Sequence, residues 1–485
     1  MTGSTADTTG RGGATRPGAP SLAERAGADG PARRAAAAEV LRRCRAEGVH
    51  SVRLSFADQH GLLRGKTVAT DELAGAFERG CGAPGSLLAK DTGQQYAVPL
   101  WVPSASLTMN LLLGARDMLL LPDPATFRVL PWAAGTGWLL CDLFTVDGEA
   151  VELSTRGLLR RLHDRLEAAG YGLVAGLEFE LHVFRPGPGG PEPVHAGWDL
   201  LGEQTADVAA PVLELLRDGL DRLGLAPRTL EVELGPGQLE LTFPAGPGPE
   251  VADRAVLIRS AVKQLAARNG LAATFMCRPK VGDSFPSGWH LHQSLVRPDG
   301  GNAFVAEPGG SAGPLSTVGE QWVAGLLEHA AASCLLTTPT VTGYKRYRPN
   351  SVAPDRIAWS RQHRGALLRV IGGPGDPATH VENRVGDPAA NPYLYLAAQV
   401  ASGLDGLERG LPVPPEAASP YEPAAGPPLP RTLGEAIVAF RDSTLYRSAF
   451  GDELTGYLVT LATSAWNRYL AAVSDWEQRE YFEQF

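Results

Sequence analysis

Residues 176–184, Gly-Leu-Glu-Phe-Glu-Leu-His-Val-Phe, alternate apolar and polar side chains and place Glu178 and Glu180 two positions apart. In a β-strand that spacing puts both carboxylates on one face and Leu177, Phe179, Leu181 and Val183 on the other. The same pattern returns along the chain, as Glu231/Glu233 and Gln238/Glu240 within 229–241, His290/His292 within 287–295, and His380/Glu382/Arg384 within 379–385. One such pair is ordinary on the solvated face of a half-buried sheet. Several such strands side by side would crowd carboxylates that repel one another unless a cation neutralises them. Carboxylates in excess over imidazole, without cysteine, favour Mg²⁺ or Mn²⁺ over zinc. Arginines gather after residue 340 (Arg346, Arg348, Arg356, Arg361, Arg364, Arg369 and Arg384), and their planar forks suit phosphate or carboxylate. The parts list is that of two-metal phosphoryl chemistry, which a phosphatase or nuclease would satisfy as well as a phosphoryl transferase.

Outward from these strands, helical spacing is expected from Ser154, with Leu158, Leu159, Leu162 and Leu166 on one face and Gly170 as the stop, and again near 251–268, 316–335, 391–409 and 432–482. Strands are expected at 171–184, 229–234, 237–243, 289–296, 366–371 and 378–385. Ahead of them, a helix over Ala36–Ala46 leads into a strand, turn and strand in which Val52, Leu54 and Phe56 alternate and Asp58–Gly61 supplies the turn. Short strands continue through 107–132, punctuated by Pro122, Pro124 and Pro131. Three segments result: an unstructured tail over 1–35, a small α+β domain over 36–145, and a large catalytic domain over 146–485.

The chain of 485 residues carries a net charge of −9, and only five of its 44 basic residues are lysines, which leaves no basic stripe for nucleic acid. Gly and Pro make up about a fifth of it, too little for a low-complexity chain. Neither an apolar run long enough for a membrane span nor a signal-peptide core is present, so a cytoplasmic protein without membrane partners is expected. The five cysteines are widely spaced and read as buried thiols. A Walker loop and a kinase lysine set are both missing.

The order of DQHGLLRGK (58–66), GLEFEL (176–181), EVELGPGQLEL (231–241), SGWHLHQSL (287–295), YKRYRPN (344–350), WSRQHRGALLR (359–369) and VENRVGDPAANPYLY (381–395) resembles that of the glutamine synthetase family over roughly residues 36–485. The resemblance implies an α+β architecture: an N-terminal β-grasp domain, then a catalytic α/β domain with a curved antiparallel sheet. It also implies a homo-oligomeric ring such as a dodecamer. Carried over by motif, one metal site falls on Glu180, Glu233 and Glu240, and a second on Glu178, His290 and Glu382, for two Mg²⁺ or Mn²⁺ ions. His292, Ser294 and His380 match positions near ATP, Arg364 and Arg369 those that hold the transferring phosphoryl, and Arg346 and Arg384 those that hold glutamate. The implied reaction is ATP-dependent amide formation through a γ-glutamyl phosphate.

Three departures bear on the amine. Val352 stands where ammonia-using relatives carry a flap glutamate. Asp91 is the only acidic candidate in the segment AKDTGQQYAVP (89–99) that corresponds to their ammonium-binding DGSS. Phe285-Pro286 replaces the Asn-Gly that helps place glutamate. This pattern resembles the γ-glutamyl-amine ligases, which join polyamines, ethanolamine, alkylamines or anilines to glutamate. The alternatives are an authentic glutamine synthetase and a catalytically silent regulatory homologue.

Overall fold

The computed structural model describes residues 20–101, 112–307 and 313–485. Most of the expected tail (1–19) and part of the predicted strand run (107–111) lie outside the described residues. Over 20–35 the tail expectation is corrected. Ser21 and Glu24 form a capping box on the helix Leu22–Arg25, and Leu22 and Ala23 bury themselves against Leu121. A second helix, Pro31–Ala46, starts on a proline at its first turn.

The first sheet has the order β2-β1-β6-β4-β3, from β1 (Ser51–Ala57), β2 (Leu63–Ala69), β3 (Cys81–Pro84), β4 (Asp117–Pro122) and β6 (Thr136–Thr145); β5 (Arg128–Val129) pairs with β6. The β1–β6 pair is parallel and the rest antiparallel. The β1–β2 turn docks on the large domain. Buried Arg259 donates to the carbonyls of Gly61 (2.9 Å), Pro388 (3.0 Å) and Ala390 (2.7 Å), and Asn391 donates to those of Asp58 and Gln59 (both 3.2 Å). Gly61 has φ +70°, and a Cβ there would meet the Arg259 guanidinium at 2.7 Å, so both conformation and space call for glycine.

The second sheet runs β14-β15-β16-β13-β7-β10-β9, with β7 (Gly172–Gly187) at its centre, β9 (Thr229–Val232), β10 (Gln238–Thr242), β13 (Trp289–Val296), β14 (Trp359–Arg361), β15 (Leu368–Ile371) and β16 (His380–Gly386). Short strands β8 (Gly190–Pro193), β11 (Gly246–Pro247) and β12 (Ala272–Thr274) also pair with β7. The sheet is antiparallel except for β14–β15, a parallel pair at the edge that corrects the all-antiparallel expectation. Its apolar face packs on the helices Thr155–Ala168, Gly248–Arg268 and Pro392–Arg409. Phe179 and Trp289 lie 4.7 Å apart there, and Trp289 and Tyr395 4.8 Å, all of them fully buried. Burying Phe179 alone contributes about 1.5–3 kcal/mol.

Three helix expectations are revised. The run 316–335 is two helices, Thr317–Glu328 and Ala330–Thr337, broken at His329. The run 432–482 is four, Leu433–Arg441, Thr444–Phe450, Asp452–Ala471 and Asp475–Tyr481, interrupted where Ser443 and Ser474 cap new starts and Gly451 takes φ +88°. The helix Glu203–Arg222 was not expected; Pro211 lies inside it, although Val212, Leu216 and Leu220 keep helical spacing. No described helix is long and apolar enough to cross a membrane. All five cysteines are free thiols, four buried and Cys81 half-buried.

Candidate active site

Strand register builds the polar face row by row. Glu180 of β7 sits opposite Glu240 of β10, and Glu178 opposite His290 of β13; His292 faces Glu382 of β16, which faces Arg369 of β15. The β13–β16 register slips by one residue between Trp289 and Leu291, a bulge beside His290 of the kind that re-aims a side chain. Glu233 follows β9, its N–H donating to the Gln238 carbonyl (3.0 Å).

These residues open into a cavity of about 920 Å³. Its lining includes Glu178, Glu180, Glu233, Glu240, His290 and Glu382, together with Arg346, Arg364, Arg369 and Arg384. His292, Ser294 and His380 stand outside that lining, although His292 shares a row with Glu382. His292 still joins the carboxylates through Glu178 Oε2, 3.1 Å from its Nε2. Two groups converge closely enough to share a cation: Glu178, Glu240 and His290, and Glu178, His292 and Glu382. Glu178 is common to both. His292, expected near ATP, therefore also reaches the cation-binding side, whereas Glu180 and Glu233 fall outside these two groups.

The charge on this face is unevenly shared. Glu382 pairs with Arg369 (2.9 Å) and Arg384, and although burial pushes its carboxyl up, Arg384, His290 and His292 hold it below the usual range. Glu178 behaves likewise, with His290 and His292 overcoming its burial. On the other side, burial and the neighbouring Glu233 push Glu180 up to about 8. Burial and the carboxylates of Glu178 and Glu180 push Glu240 up to about 10. Burial also raises Glu233. Among the described residues no Lys or Arg pairs with these three.

Hydrogen-bond polarity points the same way. Arg346 can only donate, so its contact with His290 Nε2 (3.1 Å) makes that nitrogen an acceptor and leaves the His290 proton on Nδ1, toward Glu178. Burial, followed by Arg384, lowers His290 to about 4, which agrees with a neutral ring. The carbonyl of Ala378 can only accept, from His380 Nδ1 (2.6 Å); a neutral His380 then accepts from His292 Nδ1 (3.0 Å). The chain ends with His292 Nε2 and Glu178 Oε2, two acceptors 3.1 Å apart unless a proton or a cation joins them. The donor set, rich in carboxylate and closed by imidazole, fits hard divalent ions.

Support comes from behind. Gln238 donates to Glu180 (2.8 Å) and to Ser287 (3.0 Å), and Ser287 contacts buried His182 (3.2 Å). Arg346 donates to the Arg384 carbonyl (2.8 Å), and Arg384 to the Arg364 carbonyl (2.8 Å), so the three arginines brace one another. Arg369 also holds Gln362 (3.0 Å), while its buried Nε has no partner. Sequence reasoning flagged Gln238 only as one of a pair and missed Ser287 and His182, although His182 continues the i, i+2 row of Glu178 and Glu180. Asp91 is not in the cavity. It is fully buried, caps its own turn at Gly93 and Gln95 (2.9 and 3.1 Å), and meets Ser464 (2.8 Å) and Arg468. Val352 and Phe285-Pro286 do line the cavity.

A family model described as the glutamine synthetase catalytic domain matches residues 152–481. The chain belongs to the glutamine synthetase family. Its relatives include a γ-glutamylanilide synthase of an Acinetobacter species, 39% identical over 93% of this chain and 96% of its own length. A γ-glutamylethanolamide synthetase of Streptomyces coelicolor is 33% identical over 90% and 93%, and a glutamine synthetase of Clostridium saccharobutylicum 31% identical over 92% and 98%. Among solved structures, a GmaS/ADP complex superposes with a TM-score of 0.79 at 26% identity, covering 92% of this chain and 99% of that one. The resemblance to the γ-glutamyl-amine branch is borne out. Glutamine synthetases and their γ-glutamyl relatives are ATP-dependent carbon–nitrogen ligases, and this chain is an enzyme of that class.

Proposed function

We propose that the enzyme joins an amine other than ammonia to the γ-carboxylate of L-glutamate, through a γ-glutamyl phosphate made at the expense of ATP. One observation carries this reading: the cavity keeps the carboxylates, imidazole and arginines of phosphoryl transfer, yet presents Val352 where a proton acceptor for ammonium would stand.

Glu180, Glu233 and Glu240 would hold one divalent cation, and Glu178, His290 and Glu382 the other, with His292 alongside Glu178. Bound Mg²⁺ or Mn²⁺ would screen the charge between the γ-phosphate and the attacking carboxylate. Arg346 and Arg384 hold the glutamate carboxylates, pre-set by their bonds to the backbone carbonyls of Arg384 and Arg364. Arg364 and Arg369 face the phosphoryl group, and Glu382 fixes the Arg369 fork so that little reorganisation is needed as charge shifts. His292, Ser294 and His380, outside the cavity lining, contact the nucleotide. A γ-carboxylate oxygen takes the phosphoryl from ATP; the amine nitrogen then attacks the acyl carbon, the C–O bond breaks and phosphate leaves. We also read the first sheet as a β-grasp domain, and the assembly as a homo-oligomeric ring.

The test is phosphate release from ATP by the purified protein with Mg²⁺ or Mn²⁺ and L-glutamate, with ammonium and a panel of amines in parallel and product masses recorded. Glutamate-dependent turnover with one amine class and little glutamine supports the reading. Glutamine formed in preference to every amide identifies an authentic glutamine synthetase instead. ATP binding without turnover identifies a silent homologue.

A further inference from the structure

The cavity has a second wall with a different chemistry. Trp198, Leu200, Leu201, Phe285 and Val352 all line it, and Trp198 and Leu201 are about 60% exposed. Large apolar groups left open beside a charged site are unusual unless something covers them.

This wall is held by strained backbone. Trp198, Leu201 and Val352 have φ of +66°, +55° and +65°, a region that bulky residues rarely enter and β-branched ones still less. Such outliers persist only where the surroundings enforce them, and they gather at ligand sites. Here the enforcement is visible. The Trp198 N–H donates to the Leu234 carbonyl (2.6 Å) and that of Leu201 to the Val232 carbonyl (3.2 Å), which pins the 198–201 turn onto β9 and its extension next to Glu233. Gly197, at φ +74°, lets the turn approach; a Cβ there would sit 2.4 Å from the Pro236 nitrogen. Trp198 meets Phe285 edge to face, with ring centroids 6.4 Å apart. Across the cavity the Val352 carbonyl accepts from Arg384 (3.4 Å), tying this residue's backbone to an arginine of the glutamate-binding side.

Resting on the ligase reading above, we propose that Trp198, Leu201, Phe285 and Val352 form the acceptor subsite, and that the amine it selects is a primary aromatic amine. A flat apolar ring fits an edge-to-face pair of aromatic rings and gains by covering the exposed leucine and valine. Protonation chemistry selects the same class. An aryl amine keeps little positive charge at neutral pH because its lone pair is delocalised into the ring, so it needs no base to free it, and Val352 offers none. In the step itself the nitrogen lone pair forms the C–N bond to the acyl carbon, the bond from that carbon to the phosphate oxygen breaks, and the departing phosphate takes the surplus N–H proton.

The experiment compares aniline, ethanolamine and ammonium as acceptors for the full-length protein with ATP, Mn²⁺ and L-glutamate, and repeats the comparison in Trp198→Ala and Phe285→Leu. Wild type is expected to favour aniline, and each variant to lose about tenfold or more in kcat/KM for aniline, chiefly through KM, while ethanolamine changes by less than about twofold. Phe285→Leu is the gentler change and reports even if Trp198→Ala folds poorly. A wild-type preference for ethanolamine, or variants that weaken both amines equally, overturns the aromatic subsite and leaves the ligase reading standing. Ammonium preferred over both amines overturns the ligase reading, and the subsite with it.

Discussion

Two buried charge clusters hold this molecule, and they are built on opposite principles. In the first, Arg156 sits between Asp123, Asp142 and Asp253 at 2.8, 2.7 and 2.6 Å, Arg160 adds contacts to Asp123 and Asp142 (2.9 and 2.7 Å), and Tyr393 donates to Asp253 (2.8 Å). Although burial pushes Asp123 up, the two guanidiniums hold its carboxyl below the usual range. Every carboxylate in the cluster has a guanidinium partner, and the cluster clamps the first sheet to the large domain. In the second, Glu180 and Glu240 are buried and Glu233 half-buried, with no such partner among the described residues, and all three are pushed up. A cluster that closes its own charge is architecture, and one that leaves charge open is waiting for something to bind.

The largest effect that would break this contrast is on activity. Glu240→Ala should cost at least about a hundredfold in turnover while leaving the metal-free protein as stable as wild type or more so, because it removes a buried carboxyl that no guanidinium pairs and whose ionised form burial and the neighbouring carboxylates oppose. Steady-state rates and thermal melts in chelator check both halves. Arg156→Ala should do the reverse to the fold: it leaves Asp253 without a guanidinium and Asp123 and Asp142 with Arg160 alone, and should cost about 3–5 kcal/mol in denaturant unfolding.

A smaller effect concerns pH. Glu180 titrates near 8 in the folded, metal-free protein against 4.5 for an ordinary glutamate, so between those values the folded state holds a proton that the unfolded state has lost. Metal-free stability should therefore fall as pH rises from about 4.5 to about 8, by at most about 1.4 kcal/mol per pH unit for that group. Chemical denaturation with chelator along that range should show the decline, and saturating Mn²⁺ should flatten it. The smallest effect is the control: Arg165→Ala removes an exposed 3.4 Å contact with Glu408 and should change stability by less than about 1 kcal/mol.

The open cluster was legible in the sequence because strand geometry has a period of two, so Glu178/Glu180 and His290/His292 announce a shared face before any fold is known. The same spacing marked Glu382 and Arg384, and the arginines gather visibly after residue 340; family resemblance supplied their roles. The closed cluster was not legible. Asp123, Asp142 and Asp253 come from separate segments, and nothing local to Arg156 says that they converge. The strained turn at Trp198 was equally hidden, since loops carry no period, and the helix Glu203–Arg222 was obscured by Pro211. The capping box at Ser21 and Glu24 could have been read as Ser-x-x-Glu, and it starts the helix Leu22–Arg25 within the expected tail.

The contrast stands or falls on one titration. Metal-free protein near pH 7 is titrated with Mn²⁺ by calorimetry in two buffers of different ionisation heat, which counts ions bound and protons released per chain. The account predicts two ions per chain and net proton release, because Glu180 and Glu240 enter the reaction protonated, with both quantities reduced in Glu240→Gln. Absent binding, or binding without proton release that Glu240→Gln leaves unchanged, would contradict it.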